Sequence, residues 1–136
     1  MIVGFTQGTF DMFHIGHLNL LRNAKEQCDY LIVGINSDEL VERYKGKKVI
    51  IPLDERKEIV SAIKYVDEVL VCDTLDKMTT FNAIPFNKLF IGDDWKGAAR
   101  WNETETIMGK VGVTVIYLPH TDGTSSTMLR KKLENK

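Results

Sequence analysis

Five short apolar runs, alternating with stretches of helical spacing, constrain this chain more than any other feature. They are Ile2-Val3-Gly4-Phe5, Tyr30-Leu31-Ile32-Val33-Gly34-Ile35, Val69-Leu70-Val71, Leu89-Phe90-Ile91 and Val113-Thr114-Val115-Ile116-Tyr117. Their apolar residues are consecutive rather than alternating, as expected of strands buried on both faces. Leu18, Leu21, Ala24 and Cys28 recur at helical spacing, as do Ile59, Ala62 and Ile63. The second of these helices is predicted to start at Pro52-Leu53-Asp54, with Asp54 as its N-cap. Strand and helix in alternation predict an α/β fold: a doubly wound, Rossmann-like, parallel five-stranded sheet with helices on both faces. The 136 residues show no repeat, linker or low-complexity stretch. A single domain over residues 1–136 is therefore expected, large enough to bury one real core.

Charge and cysteine content narrow the function classes. Eighteen Lys and Arg against 19 Asp and Glu leave a net charge of −1, without the basic excess of a nucleic-acid or membrane-surface protein. Any anion chemistry must come from a local cluster. Cys28 and Cys72 form neither a C-x-x-C pair nor a zinc pattern, and read as small apolar residues in a reducing compartment. No basic stretch precedes the first apolar run, so no signal peptide is expected. The apolar run from Tyr30 to Ile35 is far short of the roughly 20 residues of a membrane helix. The expectation is a soluble, cytoplasmic protein with no membrane insertion.

In open α/β sheets ligands bind beyond the carboxyl ends of the strands. Four polar segments fall there: Gly8 to His17, Lys45 to Lys48, Gly92 to Gly97, and Pro119 to Thr127. In the first, Gly8 follows a strand and lets backbone approach a ligand. His17 is expected to open the next helix, placing His14 and His17 near its N-terminal end, where free amides and the helix dipole favour an anion. Two imidazoles three residues apart can donate to one phosphate. For a single histidine, a helix cap or surface role is the alternative. A rival arrangement takes Asp11, His14 and His17 as metal ligands, but it lacks an evident fourth ligand.

Gly8-Thr9-Phe10-Asp11-Met12-Phe13-His14-Ile15-Gly16-His17 resembles the G-T-F-D-x-x-H-x-G-H signature of the cytidylyltransferase branch of the H-x-G-H nucleotidylyltransferases. The similarity continues through Asp29-Tyr30, Asp54-Glu55-Arg56-Lys57, Tyr65-Val66-Asp67-Glu68, Gly92-Asp93-Asp94-Trp95 and Gly123-Thr124-Ser125-Ser126-Thr127. It spans nearly the whole chain, and within the branch it is similar to the group acting on glycerol 3-phosphate. The resemblance implies CMP transfer from CTP to a phospho-alcohol, with sn-glycerol 3-phosphate giving CDP-glycerol for teichoic-acid or related surface-polymer synthesis. It also implies a homodimer and a divalent metal, usually magnesium. The alternatives are ethanolamine, ribitol or sugar phosphates as acceptor, an adenylyltransferase, or a nucleotide-binding domain of weakened activity.

The resemblance assigns catalysis to His14, His17, Lys45 and Lys47. It places CTP against Gly8, Thr9, Phe10, His14, Gly16, His17, Lys47, Asp94, His120, Thr121, Gly123, Thr124, Ser125, Ser126 and Thr127. The substrate phosphate falls to Lys45, Arg56 and Lys77, with Asp11 a candidate metal ligand. A short basic run is otherwise a solvated loop, and Arg56 has a surface pair with Asp54 or Glu55 as its alternative. Trp95 and Trp101 are candidates to pack over the site, in the core or at a dimer contact. In the late segment the family pattern is R-T-x-G-x-S-T-T. Here His120 replaces the arginine and Ser126 a threonine, so a permanent forked cation gives way to a pH-dependent donor. Arg100 and Arg130 are candidates to replace its charge.

Overall fold

The five apolar runs become five parallel strands: β1 (Val3–Gly8), β2 (Tyr30–Asn36), β3 (Glu68–Cys72), β4 (Lys88–Gly92) and β5 (Thr114–Leu118). The computed structural model of the chain describes residues 1–121 and the helix Ser126–Glu134; the side chains of Ser126, Thr127, Met128 and Arg130 lie outside that description. The strands are ordered β3-β2-β1-β4-β5. The chain therefore builds outward from β1 on one side and then on the other, leaving a switch point between β1 and β4.

Strand β2 shows why the run reads as continuously apolar. Leu31, Val33 and Ile35 face one core with Leu21 and Ala24 of α1 (Ile15–Glu26) and Val60 of α3 (Leu53–Ser61). Ile32 faces the other core with Trp101 and Met108 of α5 (Ala99–Gly109), against which Met78 and Phe81 of α4 (Lys77–Ala83) pack. Successive side chains point to opposite faces, and both faces are covered. The expected helices on both faces are present.

Two helices depart from the sequence expectation. The residues between β2 and α3 contain a helix, α2 (Asp38–Lys45), so Lys45 ends a helix rather than sitting in a loop. Gly46 follows it with φ 67°, a left-handed C-cap, and its N–H bonds the Glu42 carbonyl; only glycine adopts this conformation at no steric cost. The second expected start also shifts. Helix α3 is capped by Pro52, and Asp54 lies in its first turn without capping it. There its negative charge still faces the positive helix end. The last helix, α6, spans Ser126–Glu134.

Candidate active site

The β1–α1 connection positions both histidines through reciprocal capping. His14 is the N-cap, and its Nδ1 accepts the Gly16 amide proton at 3.0 Å. The His14 amide in turn donates to His17 Nδ1 at 3.2 Å, as in a capping box built from two imidazoles. Both Nδ1 atoms are acceptors, so each neutral ring carries its proton on Nε2. The two rings stack with centroids 3.9 Å apart, presenting two Nε2–H donors side by side. No carboxylate occupies the first turn of α1 to neutralise its positive end. The sequence expectation that His17 opens the helix is off by two residues: Ile15 opens it.

Burial and neighbouring charge keep these rings neutral. Desolvation lowers the pKa of His14. Desolvation, then the unfavourable charging of His17 beside His14, push His17 down to about 3; Asp11 pulls the other way and Lys45 adds a smaller push down. Hydrogen-bond donation by His17 is therefore independent of pH across the physiological range. In an NMR titration of the free protein, the His17 ring resonances are expected to stay flat from pH 5 to 8; an inflection near 6.5 would contradict this environment. The unfolded chain takes up a proton near pH 6.5 that folded His17 refuses until about pH 3. The contribution of His17 therefore makes stability fall as pH drops through that window, by up to about 1.4 kcal/mol per pH unit.

The loop itself is tied down from beneath. Phe10 and Met12 adopt φ of 54° and 50°, a strained region for such side chains. The Phe10 ring is buried and sits edge-on to His17, with ring centroids 5.4 Å apart. A Cβ at Gly8 would approach that ring to 3.0 Å. Asp11 is also buried, and its two carboxylate oxygens accept the amides of Ile50 and Ile51, each at 2.8 Å. The carboxylate thus ties Ile50 and Ile51, just past the Lys45–Lys48 segment, to the β1–α1 loop. Among the described residues no group of three or more His, Cys, Asp or Glu is arranged to hold a metal ion.

Arg56 departs from its expected place beside the substrate phosphate. Its side chain is fully buried, with its guanidinium bonded to the carbonyls of Ile51, Thr9 and Asn36 and paired with Asp38. Four of five N–H donors are thus engaged by the protein, and the residue does not border the cleft. It holds the ends of β1 and β2 together beneath the site, and among the described residues its ion pair is with Asp38 rather than Asp54 or Glu55.

Above this floor lies an open cleft of about 530 Å³ at the switch point. It brings together Gly8, Thr9, Asp11 and His17 from the β1–α1 connection with Lys45, Lys47 and Lys48 from the α2 end. Lys77, Arg100 and Trp101 form the opposite wall, and Trp95 also borders it. Five cationic side chains thus face the cleft against one carboxylate, Asp11, in a chain of net charge −1. The expected local basic cluster is real. Gln7, Asn36 and Tyr44 also line it. Gln7 donates to Asn36 at 2.8 Å, and Asn36 donates to Thr9 Oγ1 at 3.1 Å and to the Tyr44 hydroxyl at 3.3 Å. Sequence reading missed these three because neutral polar residues carry no pattern of their own.

The remaining candidates lie off the cleft lining. Asp94 belongs to a single 3-10 turn, Asp93–Trp95, and does not border the cleft. His120 Nδ1 pairs with Asp93 Oδ1 at 2.5 Å, and the Asp93 carboxyl is lowered chiefly by that hydrogen bond. As placed, His120 is engaged by the Asp93 carboxylate and does not border the cleft. Thr121 Oγ1 accepts from Asn19 of α1 at 2.9 Å. Gly123, Thr124 and Ser125, and the side chains of Ser126 and Thr127, lie outside the described residues.

Comparison with known proteins agrees with this geometry. The cytidylyltransferase-like family model matches residues 5–132. Glycerol-3-phosphate cytidylyltransferase of Bacillus spizizenii is 40% identical over 129 residues, covering 94% of both chains. The enzyme of the same name from Staphylococcus aureus is 36% identical, covering 96% of this chain and 94% of its own. Among solved structures, the lipopolysaccharide core biosynthesis protein of Thermoplasma volcanium superposes with a TM-score of 0.77 at 27% identity, covering 90% of this chain and 99% of that one. A parallel sheet with its cationic cleft at the switch point, two histidines capping the first helix, and a family match over nearly every residue lead to one conclusion: the chain belongs to the cytidylyltransferase-like family.

Proposed function

We propose that this protein transfers CMP from CTP to sn-glycerol 3-phosphate, releasing pyrophosphate and forming CDP-glycerol. The observation that carries the reading is the pair of imidazoles at the start of α1, held by their own capping bonds as Nε2–H donors. A phosphate oxygen of the acceptor attacks the α-phosphorus of CTP in line. The bond from the α-phosphorus to the bridging oxygen breaks, and that oxygen leaves with pyrophosphate. The acceptor is a phosphomonoester with a second pKa near 6, largely dianionic at neutral pH, so no general base is needed. What the site must supply is orientation and charge stabilisation. His14 and His17 act on the α-phosphate, and Lys45 and Lys47 on the charge of nucleotide and acceptor. Gly8, Thr9 and Gly16 bring backbone close to the nucleotide. Lys77 serves the acceptor phosphate. Arg56 and Asp11 keep these groups in register from below.

Magnesium belongs to the same proposal as a companion of the triphosphate. The described residues form no cluster of three or more metal-ligating side chains, which suits an ion held chiefly by substrate phosphates and water. When bound, it would add positive charge against the triphosphate. The reading also takes residues 1–136 as one domain, working as a cytoplasmic homodimer that supplies teichoic-acid or related polymer synthesis. Light scattering should then give about twice the 15.5 kDa chain mass; a monomer mass across micromolar concentrations would reject the dimer.

The acceptor is tested by a panel of phospho-alcohols with CTP and magnesium, read as pyrophosphate release. Glycerol 3-phosphate should have the highest kcat/KM, ahead of ethanolamine, ribitol and sugar phosphates. Preference for another acceptor by about a hundredfold or more would overturn the substrate assignment.

A further inference from the structure

The wall opposite the histidines contains two cations on one aromatic ring. Lys77 Nζ lies 5.5 Å from the Trp101 ring centroid, and the Arg100 guanidinium 5.9 Å from the same centroid. Arg100 also lies over Trp95 at 5.4 Å. Lys77 Nζ donates to the Leu75 carbonyl, and among the described residues no carboxylate forms an ion pair with either cation. Lys77 is nearly buried, and its pKa falls to about 8, first through desolvation and then through the charge of Arg100. Two like charges sharing a partly desolvated wall are unfavourable until an anion joins them. Trp101 adds an independent sign. Its Nε1–H is buried without an acceptor among the described residues, in a side chain only 3% exposed.

Position decides which anion. Trp101 packs in the core on the α4 and α5 side of the sheet, whereas Phe10, against His17, packs in the core on the α1 side. Arg100, in the first turn of α5 next to Trp101, therefore faces the cleft from the wall across from the histidines. In-line displacement needs the attacking oxygen opposite the leaving pyrophosphate.

We propose that Arg100, resting on Trp95 and Trp101 beside Lys77, binds the acceptor's phosphate and selects a phosphomonoester as the attacking group. The assignment rests on the cytidylyl-transfer reading above and adds a residue to it. The guanidinium fork engages two phosphate oxygens while Lys77 supplies a point charge.

The experiment is steady-state kinetics and acceptor binding on Arg100→Gln and Arg100→Lys. Arg100 is exposed, so both variants should melt like the parent. Arg100→Gln should raise KM for glycerol 3-phosphate about tenfold to a hundredfold, the loss expected for one charged hydrogen bond. KM for CTP should stay within about twofold, and Arg100→Lys should recover part of the loss. Binding is read without turnover by intrinsic fluorescence, because Trp95 and Trp101 are the chain's only tryptophans and both lie under Arg100. The midpoint for glycerol 3-phosphate added without CTP should shift by the same factor in Arg100→Gln. An unchanged acceptor KM and midpoint would overturn the proposal. A shift confined to the KM for CTP would overturn it in favour of nucleotide binding. If the parent enzyme does not turn over glycerol 3-phosphate, the functional reading fails separately. Fluorescence titration with inorganic phosphate then decides whether Arg100 makes an anion site: a tenfold weaker midpoint in Arg100→Gln supports it, and equal midpoints reject it.

Discussion

His17→Ala is expected to lower kcat by about a hundredfold to a thousandfold, the usual cost of one preorganised donor at a developing charge. The folded state should lose much less. The substitution removes the acceptor of the His14 amide, a capping contact worth about 1 kcal/mol, or a few degrees in Tm. That separation of effects is the point of the variant. A helix-cap role alone would move Tm and leave kcat near normal, which would refute the catalytic assignment. A metal-ligand role would reduce bound metal along with stability. His17→Gln should recover part of kcat, since a side-chain amide still donates. Because burial holds His17 neutral, the loss should be similar at pH 6.5 and pH 8.

Arg56→Ala is expected to produce the largest loss of stability. The guanidinium is fully buried with three carbonyls and the Asp38 carboxylate around it. Its removal leaves those acceptors without a donor, and breaking such a buried network typically costs about 3 to 5 kcal/mol. That is a large share of the roughly 5 to 15 kcal/mol by which domains are stable. Urea unfolding should show a lower midpoint with an unchanged slope. Arg56→Lys should not restore it, because an ammonium cannot span acceptors from three segments as a planar fork does. Activity should fall as well, since the Thr9 carbonyl in the β1–α1 connection is one of the acceptors. A midpoint within experimental error of the parent would contradict the structural role.

Arg56 also shows where sequence reading reaches its limit. An arginine beside Asp54 and Glu55 looks like a surface residue, and its type cannot reveal that Asp38, eighteen positions earlier, supplies the counter-charge. Asp11 shows the same limit: a carboxylate three residues before His14 suggests a metal ligand, and the backbone amides that it accepts carry no sequence signature. The strands were legible because burial on both faces writes an unbroken apolar run. Helix α1 was legible through Leu21 and Ala24. Helix α5 was not, because it buries only Trp101 and Met108, seven residues apart. Helix α2 is short and charged, with Leu40 and Val41 alone buried. The two histidines stood out as a motif, but their Nε2–H orientation depends on capping bonds that only coordinates reveal. Arg100 drew notice as a cation; its place beside Lys77 depends on α4 packing against α5.

The most direct measurement uses CTP labelled at the α-phosphate, with sn-glycerol 3-phosphate and magnesium. The account predicts that the label passes into CDP-glycerol in step with release of unlabelled pyrophosphate, and that ATP replaces CTP poorly. Label remaining in unreacted CTP at enzyme-stoichiometric concentrations, or faster transfer from ATP, would contradict it.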